Sequence, residues 1–142
     1  MRSDFIKTAL VSIVLVSAIQ YCYAELPEIQ SRSNLSCMMG GVGLDESQSM
    51  REEAKKWPLA VEFSEHMGKT DAWISGARLT IINKNGKTIF DEPCNGPMFL
   101  AKLAPGKYQL IASYQGVSKK KTIEIQEGKS LKESFNWQGK KG

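Results

Sequence analysis

The sequence predicts an all-β domain, a seven-stranded antiparallel β-sandwich with one short N-terminal helix. Three observations predict it. Apolar and polar residues alternate with a period of two in several short runs. Turns bearing glycine or proline separate those runs at short intervals. Only one stretch, ahead of the runs, shows a helical period.

The alternation is plainest between Pro97 and Gly116. Tyr108, Leu110, Ala112 and Tyr114 alternate with Lys107, Gln109, Ile111 and Ser113, which places the first set on one face of a strand. Phe99, Ala101 and Leu103 alternate in the same way with Met98, Leu100 and Lys102. Between them stands Pro105-Gly106. Proline pre-sets φ for a turn and glycine supplies the positive φ that a type II turn needs next. The spacing therefore predicts a central hairpin, after which Gln115-Gly116 closes the second strand and starts another reversal.

From the N-terminus, Arg2 and Lys7 precede an apolar run from Thr8 to Ala18, and Tyr21-Cys22-Tyr23-Ala24 ends on a small residue. These are the parts of a secretory signal peptide over 1–24, cleaved after Ala24. The run is short of the ~20 apolar residues of a membrane span. A lipoprotein reading at Cys22 meets the bulky, polar Gln20-Tyr21. The expected mature chain, 25–142, is periplasmic or secreted, with no membrane span.

Residues 25–44 read as a flexible lead-in and a glycine-rich loop. Glu25 to Ser36 shows no periodicity. The glycines of Gly40-Gly41-Val42-Gly43 do not make a phosphate loop. No Gly-Lys-Ser/Thr follows, and Glu46 stands where a dinucleotide loop has its third glycine. Residues 45–57 read as the helix. Asp45 and Gln48 form a capping-box variant. Met50, Ala54 and Trp57 share one face, Glu52 and Lys56 pair on another, and Pro58 stops the helix. Its expected dock is an open edge or end of the sandwich.

The sandwich spans 58–138. Leu59, Val61 and Phe63 mark the first strand, and His66 to Asp71 a loop. Trp73 to Asn83 reads as one longer strand. Asn85-Gly86 is the strongest short hairpin signal and returns the chain through Thr88, Ile89 and Phe90. A loop from Asp91 to Pro97 leads into the central hairpin. Val117 to Ile125 and a last strand through Leu131, Phe135 and Trp137 are joined by Glu127-Gly128-Lys129, and 139–142 is a tail.

Charge and cysteine usage narrow the partners. Without Arg2, Lys7 and Asp4 the formal charge falls from +4 to +3. That is mild, and no nucleic acid partner is expected. From Lys102 onward nine lysines face three glutamates, whereas the stretch from Glu25 to Ala101 is net acidic. A basic C-terminal half suits an anionic surface. Cys37 and Cys94 remain in the mature chain, an even pair in an oxidising compartment, so a disulfide between them is expected; the alternative is a pair of free or metal-binding thiols.

Gly76 to Ile81, Asn85-Gly86 and Leu103-Ala104-Pro105-Gly106-Lys107-Tyr108-Gln109-Leu110 resemble carboxypeptidase regulatory-like domains of the transthyretin-like, prealbumin-type sandwiches. In that family a strand, a residue-Gly turn and a Leu-x-Pro-Gly-x-Tyr segment recur in this order. The opening Gly-Gly-x-Gly-x-Asp-Glu, here Gly40 to Glu46, resembles that of small exported bacterial proteins. The resemblance covers roughly Gly40 to Trp137. It implies a transthyretin-like fold and a mostly non-catalytic, accessory role.

Hydroxyisourate hydrolases are similar in fold, but their site needs more than one histidine and a Tyr-Arg-Gly-Ser-type tail. Here His66 is the only histidine and the tail is Gln138-Gly139-Lys140-Lys141-Gly142. With no nucleophile signature either, no catalytic residue and no cofactor are expected. A copper reading would use the soft ligand types His66, Met67, Met38 and Met39, although no ligand spacing favours it. Asn136 and Glu62 raise the thought of a Lys–Asn isopeptide, without singling out the lysine. What remains is a binding or structural module whose candidate surface is Lys119, Lys120 and Lys121 with Trp73. Its partner would be a protein or an anionic envelope component.

Overall fold

A computed structural model describes residues 25–139; the leader expected over 1–24, with Cys22, and residues 140–142 of the tail lie outside the described residues. Ten strands and one helix follow in order. They are β1 (Gln30–Arg32), β2 (Leu35–Gly40), α1 (Leu44–Ala54), β3 (Leu59–Met67), β4 (Thr70–Trp73), β5 (Arg78–Asn83), β6 (Thr88–Pro93), β7 (Met98–Ala101), β8 (Gly106–Tyr114), β9 (Val117–Ile125) and β10 (Leu131–Gln138). The larger sheet has the order β1-β2-β7-β3-β10, with β4 also on β3. The smaller sheet runs β6-β5-β8-β9. No helix among the described residues is long and apolar enough to cross a membrane.

The two sheets face each other across one core. Cys37, Met39, Leu59, Val61, Phe63, Phe99, Phe135 and Trp137 of the larger sheet meet Leu79, Ile81, Phe90, Leu110, Ala112, Ile123 and Ile125 of the smaller. The Phe90 and Phe99 rings lie 4.9 Å apart across it. Each fully buried phenylalanine contributes roughly 1.5–3 kcal/mol relative to exposure. The lateral edges converge as well. Arg32 of β1 lies 3.7 Å from Glu92 of β6, and on the other side the indole N–H of Trp137 on β10 donates to Val117 O on β9 at 3.0 Å.

The helix docks on a sheet face, not on an edge or end. Met50, Trp57 and half-buried Ala54 cover Met38, Ala60, Met98 and Leu100 on the outer face of the larger sheet. The expected apolar stripe of the helix is therefore the buried one. Other details of the helix differ from expectation. It starts two residues past Val42 with Gly43 as N-cap and no side-chain cap bond, so the Asp45/Gln48 box is not made. Its ion pairs are Glu52–Lys55 and Glu53–Lys56.

This covering layer explains the strands that alternation misses. The lead-in expected to be flexible holds β1 and β2, and every residue of β2 except Ser36 is buried. Met39 and Cys37 face the core while Met38 faces the helix, so both faces are apolar and no alternation shows. The expected central hairpin is also absent. Met98, Phe99, Leu100 and Ala101 of β7 are all buried, which suits a strand with a layer on each side. β8 keeps a polar outer face and lies in the other sheet. Leu103 to Pro105 thus forms an arch between sheets, closed by the Tyr108 hydroxyl donating to Ala104 O at 2.7 Å, in the manner of a tyrosine corner.

Three further expectations change. The run from Trp73 to Asn83 is two strands in different sheets, broken at Gly76. The expected loop at His66 to Asp71 is instead a β3–β4 hairpin, with Met67 opposite Thr70. And β10 runs parallel to β3, because the β9–β10 link crosses between sheets. The β5–β6 hairpin is where Asn85-Gly86 puts it, with the Asn83 side chain accepting from the N–H of Asn85 and Lys87 at 3.0 and 2.9 Å. The β8–β9 hairpin closes at Gln115-Gly116.

Candidate functional site

The glycine-rich loop leaves β2 at Gly40 and enters α1 at Leu44. At Gly40 the chain passes so close to the helix that a Cβ would press on the Glu46 carboxylate and lie 2.6 Å from Pro27 Cγ. Gly41 adopts φ +90°, and its N–H donates to Glu46 Oε1 at 2.8 Å. The Ser47 hydroxyl donates to Leu44 O at 2.9 Å. The loop is thus tied from beneath to the first turn of the helix, where a carboxylate is also favoured by the helix dipole. Its glycines serve close packing and a turn.

With the loop tied down, the two residues between and after the glycines have nowhere to bury. Val42 is 66% exposed and Leu44 71%. Opposite them is Trp73 at the end of β4, 46% exposed. Together with Ile74 and Pro97 they line a groove of about 430 Å³. The Arg51 guanidinium from α1 sits 5.1 Å from the Trp73 ring centroid, a cation–π contact that holds the indole against the helix. Three large apolar side chains are thus grouped in water around one groove rather than scattered singly over the surface.

Past the helix and the groove, the outer face along the later part of β3 and β10 is polar. Glu62, although 7% exposed, has its Oε1 3.1 Å from Lys132 Nζ. Asn136 Nδ2 donates to Ser64 Oγ at 2.8 Å, and His66 Nδ1 lies 2.8 Å from Asp71 Oδ1. The His66–Asp71 pair orients an imidazole, but the nearby hydroxyl of Ser64 is held by Asn136. The lysine beside Glu62 is Lys132, which is four residues along the same strand from Asn136 and so about 13 Å away; that spacing does not bring an isopeptide pair together.

The other residues singled out from the sequence are dispersed. Lys119 and Lys121 point to the inner side of β9 while Lys120 points out, since neighbours on a strand alternate. Lys121 reaches across to β10, where Nζ donates to Ser134 O, lies 3.4 Å from Glu133 Oε2 and sits over the Phe135 ring. One of the three lysines is therefore a structural clasp. Trp73 belongs to the groove, not to the lysine edge. His66 and Met67 fall on opposite faces of β3. Met38 lies under the helix and Met39 in the sandwich core, so these four do not converge on a metal.

Cys37 and Cys94 are unbonded, fully buried and in the same core cluster. Cys37 is on β2 and Cys94 follows β6, its N–H donating to Ala77 O, so they approach from different sheets. Burial pushes both thiols up, and the neighbouring Cys37 pushes Cys94 further.

Val42 and Leu44 escaped the sequence reading. The available signal was their place: large apolar residues at the two free positions of Gly-Gly-x-Gly-x-Asp-Glu, where a turning loop cannot bury them. No family model matches the chain, and no curated protein matches it significantly.

Proposed function

We propose that this chain is a non-catalytic β-sandwich module of the transthyretin-like, carboxypeptidase regulatory-like kind, exported to the periplasm or beyond. It acts by binding another protein through the patch of Val42, Leu44 and Trp73. The observation that carries this is the preformed exposure of Val42 and Leu44, on a loop pinned by the Gly41–Glu46 bond, beside exposed Trp73 at the end of β4. A loop held rigid loses little freedom when a partner docks. The Leu-x-Pro-Gly-x-Tyr arch and the Gly40 to Glu46 opening support the family reading, and the leader-like 1–24 supports export. The oxidising compartment that export implies would close Cys37 and Cys94 into a disulfide between the sheets.

The test is capture from an envelope extract by the mature chain, 25–142, beside its Leu44→Asp/Trp73→Ala variant. One partner retained by the wild type and lost by the variant, at unchanged melting temperature, is the expected result. Equal capture by both would overturn the patch as the site. Capture that depends on Lys119 and Lys120 and fades with salt would move the site to the β9 edge.

A further inference from the structure

Four strand edges bound the two sheets, and β4 adds a fifth. Most are blunted. β10 is clasped by Lys121 and Trp137. β9 carries three lysines, β6 carries Asp91 and Glu92, and β1 is three residues long. Charge and shortness are the usual guards against strand addition. β4 is short too, at four residues, and its one charge, Asp71, is turned to His66. It shares one side of β3 with β7, lying in line with it, and among the described residues it pairs with nothing on its own far side. The lane beside it is the continuation of β2, which the chain abandons at Gly41 to form the pinned loop. The groove of Val42, Leu44 and Trp73 occupies that vacant lane.

The backbone groups that face the lane follow from the hairpin register. Ile74 N–H bonds Phe63 O, so alternate residues, Ile74, Ala72 and Thr70, face β3. Asp71 and Trp73 direct their N–H and C=O groups outward. All four residues of β4 are exposed. The exposed side chains of Val42, Leu44 and Trp73 offer roughly 350 Å², whereas a stable pair of globular surfaces buries about 800 Å² per partner. The patch is too small for a stable second copy of this chain and suits a narrow occupant.

We infer that the groove receives an extended peptide segment of a partner protein, which adds as a strand to the free edge of β4 and places alternate apolar side chains between Val42, Leu44 and Trp73. Main-chain bonds to Asp71 and Trp73 give the attachment, and the groove selects the side chains. The inference rests on the patch being a docking site, and its test separates the two.

The probe is a phage-displayed library of random peptides about ten residues long, selected on the mature chain, with the enriched peptides then synthesised. Expected are peptides with apolar residues at alternate positions, whose binding slows amide exchange at Asp71 and Trp73. Asp71→Pro removes an outward N–H without touching the ladder to β3; it should weaken binding by about tenfold or more. Asp71→Ala, which keeps that N–H, should bind like wild type. Peptides that bind Asp71→Pro at full strength but lose Trp73→Ala would overturn strand addition and leave the patch standing. A selection that yields no peptide, or peptides indifferent to both changes, would overturn both. Dimerisation of the free chain through this edge, seen by sedimentation, would overturn the peptide as occupant.

Discussion

Oxidising Cys37 and Cys94 to a disulfide should stabilise the mature chain by about 4 kcal/mol. The two thiols stand in one core cluster, Cys37 on β2 of the larger sheet and Cys94 just past β6 of the smaller. The bond would close a loop of about 57 residues, from β2 through the helix, β3, β4 and β5 to the end of β6, and the chain-entropy relation converts that length to the figure above. For a domain of this size it corresponds to a rise in melting temperature of about 15–20 °C. The same chain is folded in a glutathione redox buffer and in excess phosphine, then unfolded in guanidinium. The thiols are counted by alkylation after denaturation. The oxidised sample should show no reactive thiol and the higher midpoint. The folded, reduced protein should resist oxidation, because both thiols are buried and neutral and the thiolate is the attacking species. Closure therefore belongs to the folding chain. Two thiols that still titrate after oxidative folding, or midpoints that coincide, would refute the reasoning.

The reduced form carries a second signature in pH. An unfolded thiol ionises near 9.0, while burial raises both folded thiols above that. The folded state then holds protons that the unfolded state has released. Stability is full below pH ~9 and falls above it, by up to about 1.4 kcal/mol per pH unit for each thiol. The oxidised form has no thiol to titrate and should lack this slope.

Gly40→Ala should cost roughly 1–3 kcal/mol, read from the denaturant midpoint, since the added Cβ meets Pro27, Glu46 and Met50 at once. Tyr108→Phe should cost about 1 kcal/mol by removing the bond to Ala104 O that closes the arch. Met50→Ala should cost about 2–5 kcal/mol and free the helix, because Met50 is fully buried between α1 and the larger sheet; far-UV circular dichroism and the denaturant midpoint check it. Lys119→Glu with Lys120→Glu should leave stability within ~0.5 kcal/mol, whereas Lys121→Glu should lower it by setting a like charge beside Glu133. Binding tests on the basic edge should therefore spare Lys121.

Alternation and turn chemistry are local, and what they encode was legible. The β5–β6 and β8–β9 hairpins, the apolar stripe of the helix, and the inward set Leu59, Val61 and Phe63 all follow from residues within a few positions of one another. Trp73, at the end of β4, is exposed. What could not be read depends on layers that meet only in three dimensions. β2 and β7 are apolar on both faces because a helix covers one and a sheet the other, and a strand buried twice over shows no period. Pro105-Gly106 reverses the chain equally well within a sheet or between sheets. Only the packing of an all-apolar β7 and a half-polar β8 decides which. The same holds for the groove: Val42, Leu44 and Trp73 come together because Gly40 and Gly41 let the loop close onto Glu46, beside a strand that ends one lane short of a neighbour. A sequence records each of those side chains; the tertiary fold brings them together, since their separation along the chain is bridged by the sheet.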